Sequence, residues 1–257
     1  MIAPRFQPRQ ILIDIDTQRD LFVANGAASV YNHRKILANI HRVMAAARHH
    51  HIPTISTAQV YDPDYHSPGY CLAGTNGYKK LKSTVRNNCF CYPTSDSTDL
   101  PRDLLDRYNQ VVFCKRCEDP FEEPRLDRML TGLKADEFYL IGATAEGSVK
   151  ATVMGLLTRG KKVTVLTDVV GTRNRPAAIR AFREMRAKGA ILSHAIEILG
   201  PSALRIIHAC PCKRCRTIGL KKSRPSGFED QEQSNDYTTR LQPKAPIAQK
   251  NRMHEVS

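Results

Sequence analysis

The 257-residue chain contains no tryptophan, and only 7% of its residues are aromatic. It also lacks any apolar run near the ~20 residues that a bilayer-spanning helix needs. Its first ten residues, MIAPRFQPRQ, lead into a short strand pattern instead of the apolar region of a signal peptide. These absences predict a cytoplasmic protein with no membrane partner. Acidic residues are scarce too: 25 Asp and Glu stand against 39 Lys and Arg, a formal net charge of +14. Such an excess attracts polyanions or acidic small molecules. The basic residues are nevertheless scattered, without the interleaved aromatics of a single-strand binding platform. A basic solvated surface is therefore preferred to a nucleic-acid interface. No internal repeat is visible, and the 41% hydrophobic and 25% charged residues are ordinary for a globular protein.

Eight cysteines are present, at Cys71, Cys89, Cys91, Cys114, Cys117, Cys210, Cys212 and Cys215. Without a secretory signal an even count does not imply disulfides. CKRC occurs twice, at Cys114 to Cys117 and at Cys212 to Cys215, and paired CxxC units are the spacing of a four-sulfur zinc site. Against zinc, Cys114 follows QVVF directly and belongs to a strand instead of a tight turn, and the pairs are far apart for a zinc ribbon. Free thiols are the preferred reading, with no metal or other cofactor. His49, His50 and His51 point in different directions on a helix and do not form a metal cluster.

Strands and helices alternate along the chain. Ile11–Asp16 reads as a buried strand with Asp14 as its one polar interruption, and Val30–His49 as an amphipathic helix with a basic end. Thr54–Val60 is a second strand. From Tyr61 to about Leu100 the composition is that of a long substrate-facing or merely permissive loop. Gln110–Lys115, Phe138–Gly142, Lys162–Thr167 and Ala190–Leu192 are further strands. Arg125–Leu133, Ser148–Arg159, Arg175–Lys188 and His194–Leu199 are helices, with Gly160 stopping the second of these. The alternation predicts an α/β fold with a mainly parallel, doubly wound sheet. The domain is expected to span 9–199, followed by a Cys-rich extension over 200–216 and a disordered basic tail over 217–257.

Three residues with chemical potential end three of these strands or begin the helix that follows: Asp16, Lys115 and Ser148. In an open α/β sheet the carboxyl ends of the strands form the ligand crevice, so an acid, a cation and a hydroxyl converge there. The turn IGATAEGSVK has the GxxxxG spacing of a phosphate loop at Gly142 and Gly147, but continues with Ser148 and Val149 where Lys and Ser or Thr belong. As a nucleophile turn it suits a thiol best, because a helix N-terminus and a nearby Lys stabilise a thiolate. A serine needs a general base, and Asp16 is the candidate.

The chain resembles the isochorismatase-like hydrolases, which include nicotinamidases, N-carbamoylsarcosine amidohydrolases and isochorismatases. ILIDIDTQRDLF resembles the family's opening strand and puts its catalytic Asp at Asp16; VVFCK puts the catalytic Lys at Lys115. IGATAEGSVKATVMGLLTRGKKVTVLTDVVGT resembles the segment that carries the nucleophilic Cys, here Ser148. The resemblance runs from about Arg9 to Leu199. It implies a three-layer αβα sandwich, self-association into a homo-oligomer, and a non-proline cis peptide between Ala143 and Thr144. It also implies oxyanion donors at the backbone N–H groups of Thr144 and Ser148. Nicotinamidase zinc ligands fall on Val60 and Asp62, which removes the metal expectation. Two alternative functions follow. One is a small-molecule hydrolase, its basic surface suiting an acidic substrate, that works by Asp16/Lys115 acid-base chemistry with Ser148 assisting. The other is a lapsed enzyme kept as a binding or scaffold protein.

Overall fold

The structure is a computed structural model that describes residues 9–64 and 67–203. Seven strands form one sheet: β1 Gln10–Ile15, β2 Thr54–Gln59, β3 Cys89–Tyr92, β4 Gln110–Lys115, β5 Glu137–Ala143, β6 Val163–Gly171 and β7 Ile191–Ser193. Their order is β3-β4-β2-β1-β5-β6-β7, and every pairing is parallel. The helices are α1 Arg19–Phe22, α2 His33–His49, α3 Leu104–Arg107, α4 Pro124–Gly132, α5 Lys150–Thr158, α6 Arg175–Ala187 and α7 Ala195–Ala203.

Both faces of the sheet are covered, so its central strands are buried on both sides, β2 with Thr54, Ser56, Thr57 and Gln59 among its buried residues. In β1, Ile11, Ile13 and Ile15 enter one core with Phe113, Leu126, Val153 and Met185, whereas Leu12 enters the other with Ile40, Val43 and Met44 of α2. Asp14 alternates with the isoleucines and so shares the face of Leu12. The result is a three-layer sandwich in which chain direction across the sheet reverses at β1, placing a crevice at the carboxyl ends of β1, β2 and β5. Gly142 permits this closeness. At φ +119° it lies where a Cβ would stand 1.8 Å from the Ile15 carbonyl oxygen, an approach that only glycine accommodates.

Four expectations from sequence are corrected. The stretch 61–100 is not wholly irregular, because its Cys89–Tyr92 segment adds β3 alongside β4 at the edge of the sheet. The helix predicted from Ser148 begins at Lys150, preceded by a wider turn over Ala145–Val149 in which Gly147 has non-helical angles of φ −112° and ψ −113°. β6 continues past Thr167 to Gly171, with a register shift against β5 between Leu140 and Gly142. The last helix runs to Ala203, a few residues into the segment assigned to the extension. The second CKRC, the rest of the extension and the tail lie outside the described residues.

Candidate active site

Each group at the crevice is delivered by a strand end. Lys115 ends β4 and lies in register with Gln59 at the end of β2. Asp16 follows β1 at φ +48°, a left-handed conformation that Asp tolerates better than most residues. The turn is closed by the Gln18 N–H donating to the Asp16 carbonyl at 2.7 Å. Ser148 sits in the turn after β5, and the peptide bond joining Ala143 and Thr144 is cis.

These three side chains meet on one ammonium. The three N–H groups of Lys115 Nζ are shared among four acceptors: Gln59 Oε1 at 2.5 Å, Asp16 Oδ2 at 2.9 Å, the Cys117 carbonyl at 2.9 Å and Ser148 Oγ at 3.1 Å. Lys115 is fully buried, Asp16 1% exposed and Ser148 5% exposed. Such an ion pair persists only because hydrogen bonds satisfy the remaining polar atoms. Asp16 makes two more with Thr57, whose hydroxyl donates to Asp16 Oδ1 at 2.5 Å and accepts from the Asp16 N–H at 3.1 Å. No hydrogen bond joins Asp16 to Ser148; they touch the same cation instead. Because Ser148 Oγ accepts from Lys115, its own proton remains available to a group in the crevice.

The segment after β2, expected as a substrate-facing or permissive loop, supplies an aromatic rim beside this centre, where the charge of Asp16 reaches the Tyr61 phenol. Tyr61 and Tyr70 form an edge-to-face pair with ring centroids 5.6 Å apart, and the Arg173 guanidinium stands over the Tyr70 ring at 4.9 Å. Burial raises both phenols above their ordinary range, and the negative charge of Glu118 adds to the effect. Glu118 lies against the turn that holds Ser148, since a Cβ on Gly147 would stand 2.6 Å from its carboxylate. Cys71 is buried nearby, and burial, then the charges of Asp16 and Asp20, push its thiol far up, which keeps it protonated and inert. Glu146, in the same turn as Ser148, accepts from the Thr172 hydroxyl at 2.6 Å and from the backbone N–H of Arg173 at 2.9 Å. That clamp sets the loop from which Arg173 projects.

Among the described residues, the positions that the resemblance gives to zinc ligands do not suit a metal centre. Val60 offers no donor atom in its side chain, Asp62 is exposed, and no group of three His, Cys, Asp or Glu side chains among the described residues is arranged to hold an ion. Cys114 is buried in β4, within a small apolar cluster that includes Cys89 and Cys91. A cavity of about 790 Å³ lies away from the centre, beside the amino ends of β1 and β2, lined by Gln10, Val43, Pro53 and Leu199 among others.

Fold and site together define a doubly wound α/β protein with a buried acid, ammonium and hydroxyl centre at the switch point of its sheet. The chain belongs to the isochorismatase family: the Isochorismatase domain model matches residues 10–197. N-carbamoylsarcosine amidase of Arthrobacter sp is 27% identical over 138 residues, which are 54% of this chain and 50% of that protein. The chain thus matches half the length of that curated relative. Among solved structures, the pyrazinamidase of Pyrococcus horikoshii in complex with zinc aligns with TM-score 0.58 and 23% identity, covering 73% of this chain and 99% of that one. The MAR1 ribonuclease of Caenorhabditis elegans aligns with TM-score 0.53 and 24% identity, covering 76% and 82%. At these identities the two structures share the fold with this chain.

Proposed function

We propose that the protein hydrolyses a small molecule by acid-base chemistry, with Asp16 moving the proton, Lys115 balancing charge and Ser148 hydrogen-bonding the substrate or water. The observation that carries this reading is the position of Lys115 Nζ, within 2.9 Å of Asp16 and 3.1 Å of Ser148 in a buried setting. An ammonium held there stabilises negative charge developing on a substrate oxygen or on water, and does so strongly where water is excluded. Serine attack is the less favoured route. It needs a base hydrogen-bonded to the hydroxyl, whereas Ser148 faces a cation that already carries its full complement of protons. The backbone N–H groups of Thr144 and Ser148 serve as the oxyanion donors in this scheme.

Arg173 on the rim favours a substrate with an acidic group, which the overall positive charge draws toward the protein. The amidase relative makes amides and ureides the first substrates to try, and the family resemblance adds vinyl ethers. Purified protein is screened against all three classes and against single-stranded RNA. During turnover the quenched protein is weighed intact by mass spectrometry. Turnover of a small molecule without a covalent adduct supports the proposal. RNA cleavage alone, or binding without turnover of any class, contradicts it.

A further inference from the structure

Lys80 belongs to the long segment after β2, yet its ammonium is fully buried and its three N–H groups meet three acceptors. These are Asp14 Oδ2 at 3.0 Å, Thr17 Oγ1 at 2.9 Å and the Thr57 carbonyl at 3.0 Å. All three acceptors surround Asp16. Asp14 precedes it by two residues on β1, Thr17 follows it directly, and Thr57 is the residue whose hydroxyl donates to the Asp16 carboxylate. We propose that Lys80 and Asp14 are positioning residues that hold Asp16 seated against Lys115 from behind the centre.

Neither stability nor loop attachment explains the pair. Buried ion pairs are commonly replaceable by apolar side chains without loss of stability, and this one leaves Asp14 Oδ1 buried with no hydrogen-bond partner among the described residues. The segment is already fastened by its backbone: the Leu81 N–H donates to the Thr17 carbonyl at 2.9 Å and the Arg19 N–H to the Lys79 carbonyl at 2.9 Å. What the ammonium adds is a grip on the side chain of Thr17, the carbonyl of Thr57 and the carboxylate of Asp14 together. Ser56 extends the grip by donating to Asp14 Oδ2 at 2.9 Å, and Gln110 donates to Ser56 Oγ at 2.7 Å. Asp16 is thereby fenced by residues whose own positions converge on Lys80.

The test compares Ser148→Cys with the triple variant Ser148→Cys/Asp14→Leu/Lys80→Met, in which the pair is exchanged for apolar residues and no charge is stranded. Alkylation of position 148 by iodoacetamide is followed from pH 5 to 9 by peptide mass spectrometry, and folding by circular dichroism. An Asp16 that has lost its seat no longer neutralises Lys115, so more of the ammonium's charge falls on the thiolate introduced at position 148. The midpoint of the rate profile is expected to fall by about 0.5 pH unit, roughly a threefold faster reaction at pH 6. Superimposable profiles, or a raised midpoint, in a folded triple variant overturn the proposal. Should the triple variant not fold, Asp14→Asn with Lys80→Met in the Ser148→Cys background removes the same two charges while keeping an acceptor for the Ser56 hydroxyl, and the same downward shift is required of it. Labelling needs no substrate, so the outcome is independent of whether the protein is a hydrolase.

Discussion

Replacing Lys115 by Met keeps the aliphatic stem in its fully buried channel and removes the ammonium from Asp16, Gln59, the Cys117 carbonyl and Ser148 at once. Asp16 is then a buried carboxylate whose remaining support is Thr57. Breaking a buried pair from one end typically costs about 3–5 kcal/mol, because the partner's charge is left without compensation. For a domain of this size each kcal/mol lowers Tm by about 2–4 °C, so a loss of about 6–20 °C is expected. Urea unfolding at pH 7 measures the difference directly, and Asp16→Leu added to Lys115→Met should recover most of it by removing the stranded charge. A single variant within about 1 kcal/mol of the parent, or a double variant no better than the single, refutes the reasoning that the pair is buried and mutually compensating.

Two further outcomes follow from the same packing. Gly142→Ala places a methyl 1.8 Å from the Ile15 carbonyl at φ +119°, and should cost at least about 3 kcal/mol, read as insoluble protein or a collapsed urea midpoint. Burial, then the charge of Arg48, lowers the His41 imidazole below its ordinary range. The unfolded chain therefore binds the extra proton first, and stability falls as pH drops from about 6.5 toward the folded value. His41→Gln should flatten that acid slope in pH-dependent unfolding, and an unchanged slope counts against the assignment.

The apolar runs of β1, β4 and β5, and the β-branched residues of β2 after Pro53, make the sheet legible in the sequence, since each is a short buried strand between turn residues. β3 is hidden because Cys89–Tyr92 is a four-residue edge strand with every residue only half-buried, too short and too little patterned to stand out from its loop. The turn at Ala145–Val149 reads as helix from Ser148 onward because its apolar spacing continues that of α5, while the departure at Gly147 is a backbone property. Asp16, Lys115 and Ser148 are visible as chemistry at strand ends. Thr57, Gln59 and Lys80 are not, because nothing local marks a polar residue as buried. Lys80, between Lys79 and Lys82, has the look of a solvated basic patch. One signal does point to it: Asp14 in an otherwise apolar strand is a charge that requires a partner from elsewhere in the chain.

If Asp16 carries the proton and Ser148 assists without being acylated, the two positions differ in how much activity survives their loss. The decisive comparison is the turnover rate of Asp16→Asn and of Ser148→Ala against the parent, on whichever substrate the screen yields. Asp16→Asn is expected to fall to the uncatalysed rate while Ser148→Ala retains a measurable fraction. Equal and total losses in both variants contradict this division of roles and assign the attack to the serine.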